Sequence, residues 1–265
     1  MHAIGKAIKY CYYVVGEVFY RPRLLLMLFF FLLESLLATG LALALSTIVI
    51  HFLGLGFWGL FLIGVVMALF LFVFYYLYQL LKARTIAVHE GVVDQSGQRL
   101  KLPGLAWPVL GYTFQHLVSW RDAGKLNWQN GKHLMLPLMV KYRDSFGGAY
   151  RRLQDLKLNH TLRLDPHLVA ARPLTMIFCL AAIFAGMGLG VWLGFAAASG
   201  IVVPFIRRVQ AIGLALLVFL AISWLPLALS AVKNGLYQAD LLSVELADQP
   251  GYMPELLANV FGGRS

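Results

Sequence analysis

The chain is poor in charge. Only 13% of its 265 residues are Asp, Glu, Lys or Arg, about half the usual ~25% of a soluble globular domain. Cysteine is nearly absent: Cys11 and Cys179 are the only two, which excludes a disulfide framework and any CxxC metal site. Both read as small apolar fillers. Signatures of hydrolytic and nucleotide chemistry are missing too, with no GxSxG, HExxH, paired-carboxylate or P-loop pattern. The first residues lack a short apolar core followed by a small-residue cleavage site, so no cleaved signal peptide is expected.

What is abundant is apolar, and it comes in blocks. Four stretches, 24–53, 57–81, 173–199 and 209–232, are almost free of charge. Runs of roughly 18 or more such residues fit the ~30 Å hydrocarbon layer of a bilayer and are too long for core strands. Only Gly54-Leu55-Gly56 separates the first two. The expected fold is therefore all-α: an integral membrane bundle of four transmembrane helices in two hairpins. Five segments follow: 1–23, 24–81, 82–172, 173–232 and 233–265.

The net charge of +10 flanks these blocks rather than forming a nucleic-acid motif, so no nucleic-acid partner is expected. Of 22 Lys and Arg residues, Arg207 and Arg208 alone lie between the third and fourth blocks, and the other twenty lie in 1–23, 82–172 and the tail. Basic excess marks the cytoplasmic side. Both ends and the middle segment are expected there.

Flanking segments carry amphipathic patterns. Ile4, Ile8, Tyr12, Val15 and Phe19 recur at helical spacing and predict an in-plane helix over 4–20, broken at Pro22. In the middle segment, Thr85–Leu102 reads as a small β-hairpin: Ile86, Val88, Val92 and Val93 precede the turn residues Asp94-Gln95-Ser96-Gly97. Pro108–Trp120 and the apolar run His133–Val140 suit the membrane interface or a shallow re-entrant position. Asp144 or Ser145 can cap a helix with Phe146, Ala149, Leu153 and Leu156 on one face. Its other faces carry Arg151, Arg152 and Lys157, suited to anionic lipid headgroups. The tail should prolong the fourth helix until Gln249-Pro250-Gly251 stops it, with a short helix possible over 254–261.

The stretch LPLMVKYRDSFGGAYRRLQDLKLN at 136–159 and the ending NGLYQADLLSVELADQPGYMPELLANVF at 234–261 carry a family likeness. An apolar strip, an acidic residue, a helix with paired basic residues and a following span are its elements. In these the chain resembles a broad group of bacterial polytopic membrane proteins related to the membrane domain of glycerophosphodiester phosphodiesterases. The tight first hairpin and the polar hairpin after the second span depart from that group. The resemblance implies a helical fold in the bacterial inner membrane and transfers no catalytic residue.

Within the spans a few residues stand out. Glu34 lies eleven positions past Arg23, ~16 Å into its helix, where a carboxylate is costly and faces a bundle interior or a water-filled cavity. An ion path is one reading; a neutral carboxyl that locks helices together is preferred, since few other polar groups share the spans. Ser223 and Trp224 in the fourth block stand at the same expected depth, beside Pro226, which leaves the carbonyl of Ile222 without its helical donor. His51 is a conceivable haem or pigment ligand, but no second histidine falls in the spans, and an interfacial structural role is preferred. His160, Asp165 and His167 fit no established metal spacing. Ala182, Gly186, Gly190, Gly194 and Ala198 form a small-residue groove at four-residue spacing, the recurring basis of helix association in lipid.

No metal and no cofactor are expected, and bound lipids are. The sequence points to a non-enzymatic accessory, assembly or structural subunit, whose partners are other membrane subunits, its own copies and anionic lipid headgroups. A small transporter using Glu34 is the first alternative and a lipid-modifying enzyme the second. Reporter fusions after Lys82, Ser145 and Ser265 should all give cytoplasmic signals, and one near Ser199 the opposite. A cytoplasmic signal at Ser199 overturns the four-span topology.

Overall fold

The structure is a computed structural model that describes residues 16, 18–54, 56–89, 102–118, 126–155 and 166–247. Every regular element among them is helical: α1 (Pro22–Leu53), α2 (Phe57–His89), a 3-10 turn (Leu102–Leu105) leading into α3 (Ala106–Val118), α4 (Leu126–Tyr142), α5 (Phe146–Asp155), α6 (Pro166–Ala198) and α7 (Pro204–Ala247). Four stretches are long and apolar enough to cross a membrane: Pro22–Leu53, Phe57–His89, Cys179–Ala198 and Pro204–Ser243. They coincide with the four apolar blocks.

Local chemistry sets the ends of α1. Pro22 stands at its first turn, where a missing N–H costs nothing. Gly54 ends it at φ +64°, and its N–H reaches the carbonyl of Ile50 at 3.1 Å. A side chain would strain this left-handed backbone, so glycine fits the break.

The chain divides into two compact units: residues 1–81 with 166–233, and 82–165 with 234–265. In the first, α7 touches the three other helices. Phe31 of α1 stacks on Trp224, Leu43 farther along α1 lies against Gly213, and His51 meets Phe205 edge-on. Numbers rise along α1 as they fall along α7, so the two run antiparallel. Phe70 and Phe74 of α2 meet Phe219, and Tyr78 meets Ser230, so α2 runs parallel to α7. Gly186, Gly190 and Gly194 of α6 face Phe219, Ala215 and Ala211, again antiparallel. Ala42, Phe70, Phe74, Leu216, Phe219 and Leu220 fill the centre.

In the second unit α4 packs against α5 and α3, and α3 also meets α5. Residues 134–140 of α4 are buried without interruption. Val109 and Tyr112 of α3 and Ala149 and Leu153 of α5 join this core, with the Tyr112 ring 6.3 Å from that of Phe146. Ser145 caps α5, its hydroxyl accepting the Gly148 N–H at 3.4 Å. Gly235 of α7 lets the chain lie close on α2: a Cβ there would stand 3.0 Å from the Lys82 carbonyl oxygen and from Thr85 Cβ.

Two expectations are corrected. The β-hairpin over Thr85–Leu102 is not formed by its outer residues, because Thr85–His89 continue α2 and Leu102 begins the 3-10 turn. Strand preference is a weak prior that burial overrides, and Thr85, Ile86 and Ala87 are buried. Val92, Val93 and the turn at 94–97 lie outside the described residues. The run His133–Val140, expected at the membrane interface or in a shallow re-entrant position with lipid against it, lies in the middle of α4, and from Leu134 on it is covered by protein. Seven apolar residues in a row look alike whether lipid or protein covers them.

Other segments fall only partly within the described residues. Of the in-plane helix over 4–20, residues 18–20 are helical, with Phe19 and Tyr20 exposed, and most of the rest lies outside. The α7 helix runs on at least to Ala247, and its last turns belong to the unit that holds the middle segment; Gln249-Pro250-Gly251, expected to stop it, lies outside the described residues. Residues 254–261 lie outside the described ones.

The α6–α7 contact generates a direct test. A Cβ on Gly190 would come within 2.6 Å of the Ala215 carbonyl oxygen. Gly190→Leu should therefore lower stability by about 1–3 kcal/mol through overpacking. Val191 is half exposed, and Val191→Leu should change stability by less than about 0.5 kcal/mol. Thermal unfolding in detergent compares them; equal melting would show that the close approach is dispensable.

Candidate functional site

The small-residue groove of α6 is real, and α7 occupies it. Gly186, Gly190, Gly194 and Ala198 are buried and Ala182 is half-buried. A side chain on Gly186 would approach the Phe219 backbone to 3.3 Å, and one on Gly194 would collide with the Ala211 carbonyl oxygen. The groove therefore joins two helices of one chain. It is not an open surface for another subunit.

Glu34 is half-buried on α1 and makes a polar contact. Phe31 stacks on Trp224 and Leu43 lies at Gly213, so Glu34 stands level with the stretch of α7 just before Trp224. Neither Ser223 nor Trp224, the polar side chains expected at its depth, is its hydrogen-bond partner. The Ser223 hydroxyl donates to the Phe219 carbonyl at 2.6 Å, and the buried indole nitrogen of Trp224 has no hydrogen-bond partner. Ser35, Thr39 and Thr47 likewise donate to carbonyls one turn back on α1, at 2.6, 2.8 and 2.8 Å. Such back-bonding satisfies a hydroxyl in lipid without a partner helix.

His51 is exposed at the end of α1, its ring edge-on to Phe52 at 5.1 Å and to Phe205 at 5.6 Å. Among the described residues no group of three His, Cys, Asp or Glu side chains comes together. His160, Asp165 and Lys157 lie outside the described residues. Arg151 is exposed on α5. Arg152 is already engaged: it pairs with Asp144 and lies 4.4 Å over the Tyr142 ring.

One cluster escaped the sequence reading. Where α2, α6 and α7 meet in the first unit, the Tyr78 and Ser230 hydroxyls are 3.4 Å apart. Ser230 also hydrogen-bonds Cys179, whose thiol donates to the Pro226 carbonyl at 3.6 Å. Tyr75 stacks on Tyr78 and hydrogen-bonds Gln79. Gln79 and Lys233 are each only 4% exposed, and Gln79 Oε1 has no partner. A buried acceptor left so costs about 1–3 kcal/mol. Cys179 is therefore more than a filler. The legible signal was Tyr75-Tyr76-Leu77-Tyr78-Gln79 ending an apolar block, with Pro226 opposite.

Neither a protein-family model, nor a curated protein, nor a solved structure matches this chain. The arrangement alone therefore carries the functional argument.

Glu34 and Trp224 yield the test of this region. Glu34→Gln keeps a hydrogen-bonding head and should leave stability nearly unchanged, whereas Glu34→Leu should lower it by ~1 kcal/mol, the scale of interhelical hydrogen bonds in membranes. Trp224→Phe keeps the stack on Phe31 and removes an unpartnered donor, so it should cost less than about 1 kcal/mol. Unfolding of the three variants in detergent decides; a large loss in Trp224→Phe would mean that the indole N–H has a partner.

Proposed function

We propose that this chain is a multi-pass protein of the bacterial inner membrane, with both ends cytoplasmic and its spans in two hairpins. It serves as a non-enzymatic accessory, assembly or structural subunit of a membrane complex. The observation that carries this reading is the filled interior of the bundle. Phe31, Phe70, Phe74, Phe219 and Trp224 interlock at its centre, and nearby hydroxyls are turned back on their own helices. A close-packed aromatic centre supports a scaffold better than a conduit.

Partners would use surfaces other than the α6 groove. The most apolar windows of α2 and α6 are only 17% and 22% buried within the protein, so most of their surface is open to lipid or to neighbouring subunits. In the second unit Arg151 and Arg152 are both exposed on α5, Arg152 already paired with Asp144, and Arg151 is the one suited to anionic headgroups; Lys157 lies outside the described residues. A transporter reading keeps one point in its favour, the half-buried carboxylate of Glu34 inside a spanning helix.

Purification from native membranes in a mild detergent, followed by cross-linking and mass spectrometry, tests the subunit reading. The expected result is a defined set of membrane proteins at constant ratio. Recovery of the chain alone, together with solute uptake that Glu34→Gln abolishes, would replace the subunit reading with the transporter.

A further inference from the structure

We infer that the end of the spanning unit capped by the breaks 54–56 and 199–203 is an interaction surface for the phospholipid headgroup layer, with Arg207 and Arg208 against lipid phosphates and no face left to outside water. The inference rests on the membrane placement proposed above and on no part of the subunit reading.

Both breaks belong to one surface. Helix α1 ends at Leu53 and α2 begins at Phe57, while α6 ends at Ala198 and α7 begins at Pro204. The His51 ring, in the last turn of α1, lies 5.6 Å from that of Phe205, in the first turn of α7. What this end presents is apolar: Val202 is 92% exposed, Phe52 77% and Phe57 76%. Neither break holds a charged residue. Its one polar side chain, Ser199, donates its hydroxyl to the Ala196 carbonyl at 2.7 Å. The N–H groups of Gly54, Ser199 and Ile201 are bonded to the carbonyls of Ile50, Ala196 and Ala198. Polar groups satisfied within the chain beside exposed apolar side chains are the reverse of what a watery turn selects, and they are what lipid requires. Exposed Trp58 and Phe61 carry the same surface onto the side of α2. The tip is therefore continuous with the lipid-facing flank of that span.

Charge sets how deep the tip lies. Arg207 is exposed and Arg208 half-buried. No Asp or Glu occurs in 35–89 or 166–239, and Glu34 stands seventeen residues before His51, ~25 Å away along the helix. Two guanidiniums thus stand at an apolar end far from any carboxylate of these hairpins. Phosphate is the anion that a bilayer supplies there, and guanidinium matches its geometry. Trp58 and Arg207 both stand in the first turn of helices that begin at this end. Tryptophan at the level of a snorkelling cation marks the membrane–water interface. Helical side chains lean toward the N-terminus, which in α7 is the outer end. Both arginines can reach the phosphates while the apolar tip stays in the layer beneath. A soluble protein docking here would have to displace phosphates already in place.

The test uses the full chain in phospholipid vesicles, with Cys11→Ser and Cys179→Ala leaving one added cysteine to carry a fluorescent dye. Val202→Cys and Phe57→Cys probe the tip, Leu69→Cys probes the exposed middle of the second apolar block, and the dye on free cysteine sets the wet reference. At positions 202 and 57 iodide should lose most of its quenching. Lipids spin-labelled near the headgroup should quench there more than lipids labelled deep in the acyl chain, and position 69 should show the opposite order. Arg207→Glu with Arg208→Glu should raise iodide quenching at position 202, because carboxylates repel phosphates. If that variant does not fold, the dye positions alone decide. Quenching at 202 and 57 equal to the wet reference, with 69 shielded, would overturn this inference and leave the membrane placement standing. Full quenching at all three would overturn both. Shielding of 202 and 57 from an impermeant maleimide in native membranes, but not in vesicles, would mean that a protein covers the tip, and it too would overturn the inference.

Discussion

Along α7 the backbone at Ala211, Ala215 and Phe219 lies bare to α6 because glycines stand opposite each of them. In water such an approach would be one contact among many. In lipid, where apolar side chains gain nothing by leaving the solvent, close backbone contact is a main source of association. The rest of the spanning unit follows from it. With α6 drawn onto one side of α7, the phenylalanines of α2 and the Phe31–Leu43 stretch of α1 meet its other sides. A single helix thus carries contacts to the three others.

Pro226 divides that helix into two chemical regimes. On the Pro204 side its contacts are glycine, alanine and aromatic rings, and the hydroxyl of Ser223 turns back on its own helix. At and beyond Pro226, a thiol from α6 bonds the proline carbonyl, and Ser230 meets Tyr78 and that same cysteine. A proline withdraws one N–H from the helical ladder and loosens the turn around it. Polar side chains gather on the far side of that turn, at the end where the sequence turns basic.

The spans were legible because their signal is local. Runs such as 24–53 and 57–81 are long, apolar and almost uncharged, and the break after the first is written in Gly54, a residue with a distinctive backbone preference. The glycine row of α6 announced close approach but not its partner, since a groove looks the same whether a neighbouring chain or the next helix fills it. Thr85–His89 misled because β-branched residues carry only a weak local preference, which burial reversed. Residues 134–140 misled for a related reason: an apolar run records that something covers it and not what. Of the cluster around Ser230 only the tyrosine-rich end of the second block was legible, because its members come from helices far apart in sequence, and the rest are not unusual alone.

Occupation of the α6 groove by α7 changes what an assembly role can rest on. A small-residue row left open would have argued for a partner helix; a filled one argues only for a stable fold. Candidates for docking then shrink to faces that the chain does not cover itself. On α5 Arg152, though exposed, is paired with Asp144 and lies over Tyr142, so part of the charge that the sequence offers there is already neutralised. In the spanning unit, α6 turns Phe184, Trp192 and Phe195 outward, each about two-thirds exposed. Large rings on the back of a helix whose front is glycine are what lipid-facing packing requires, because the thin side takes the neighbour and the bulky side meets the acyl chains. The asymmetry of α6 is therefore explained by α7 and the bilayer together, and needs no third component.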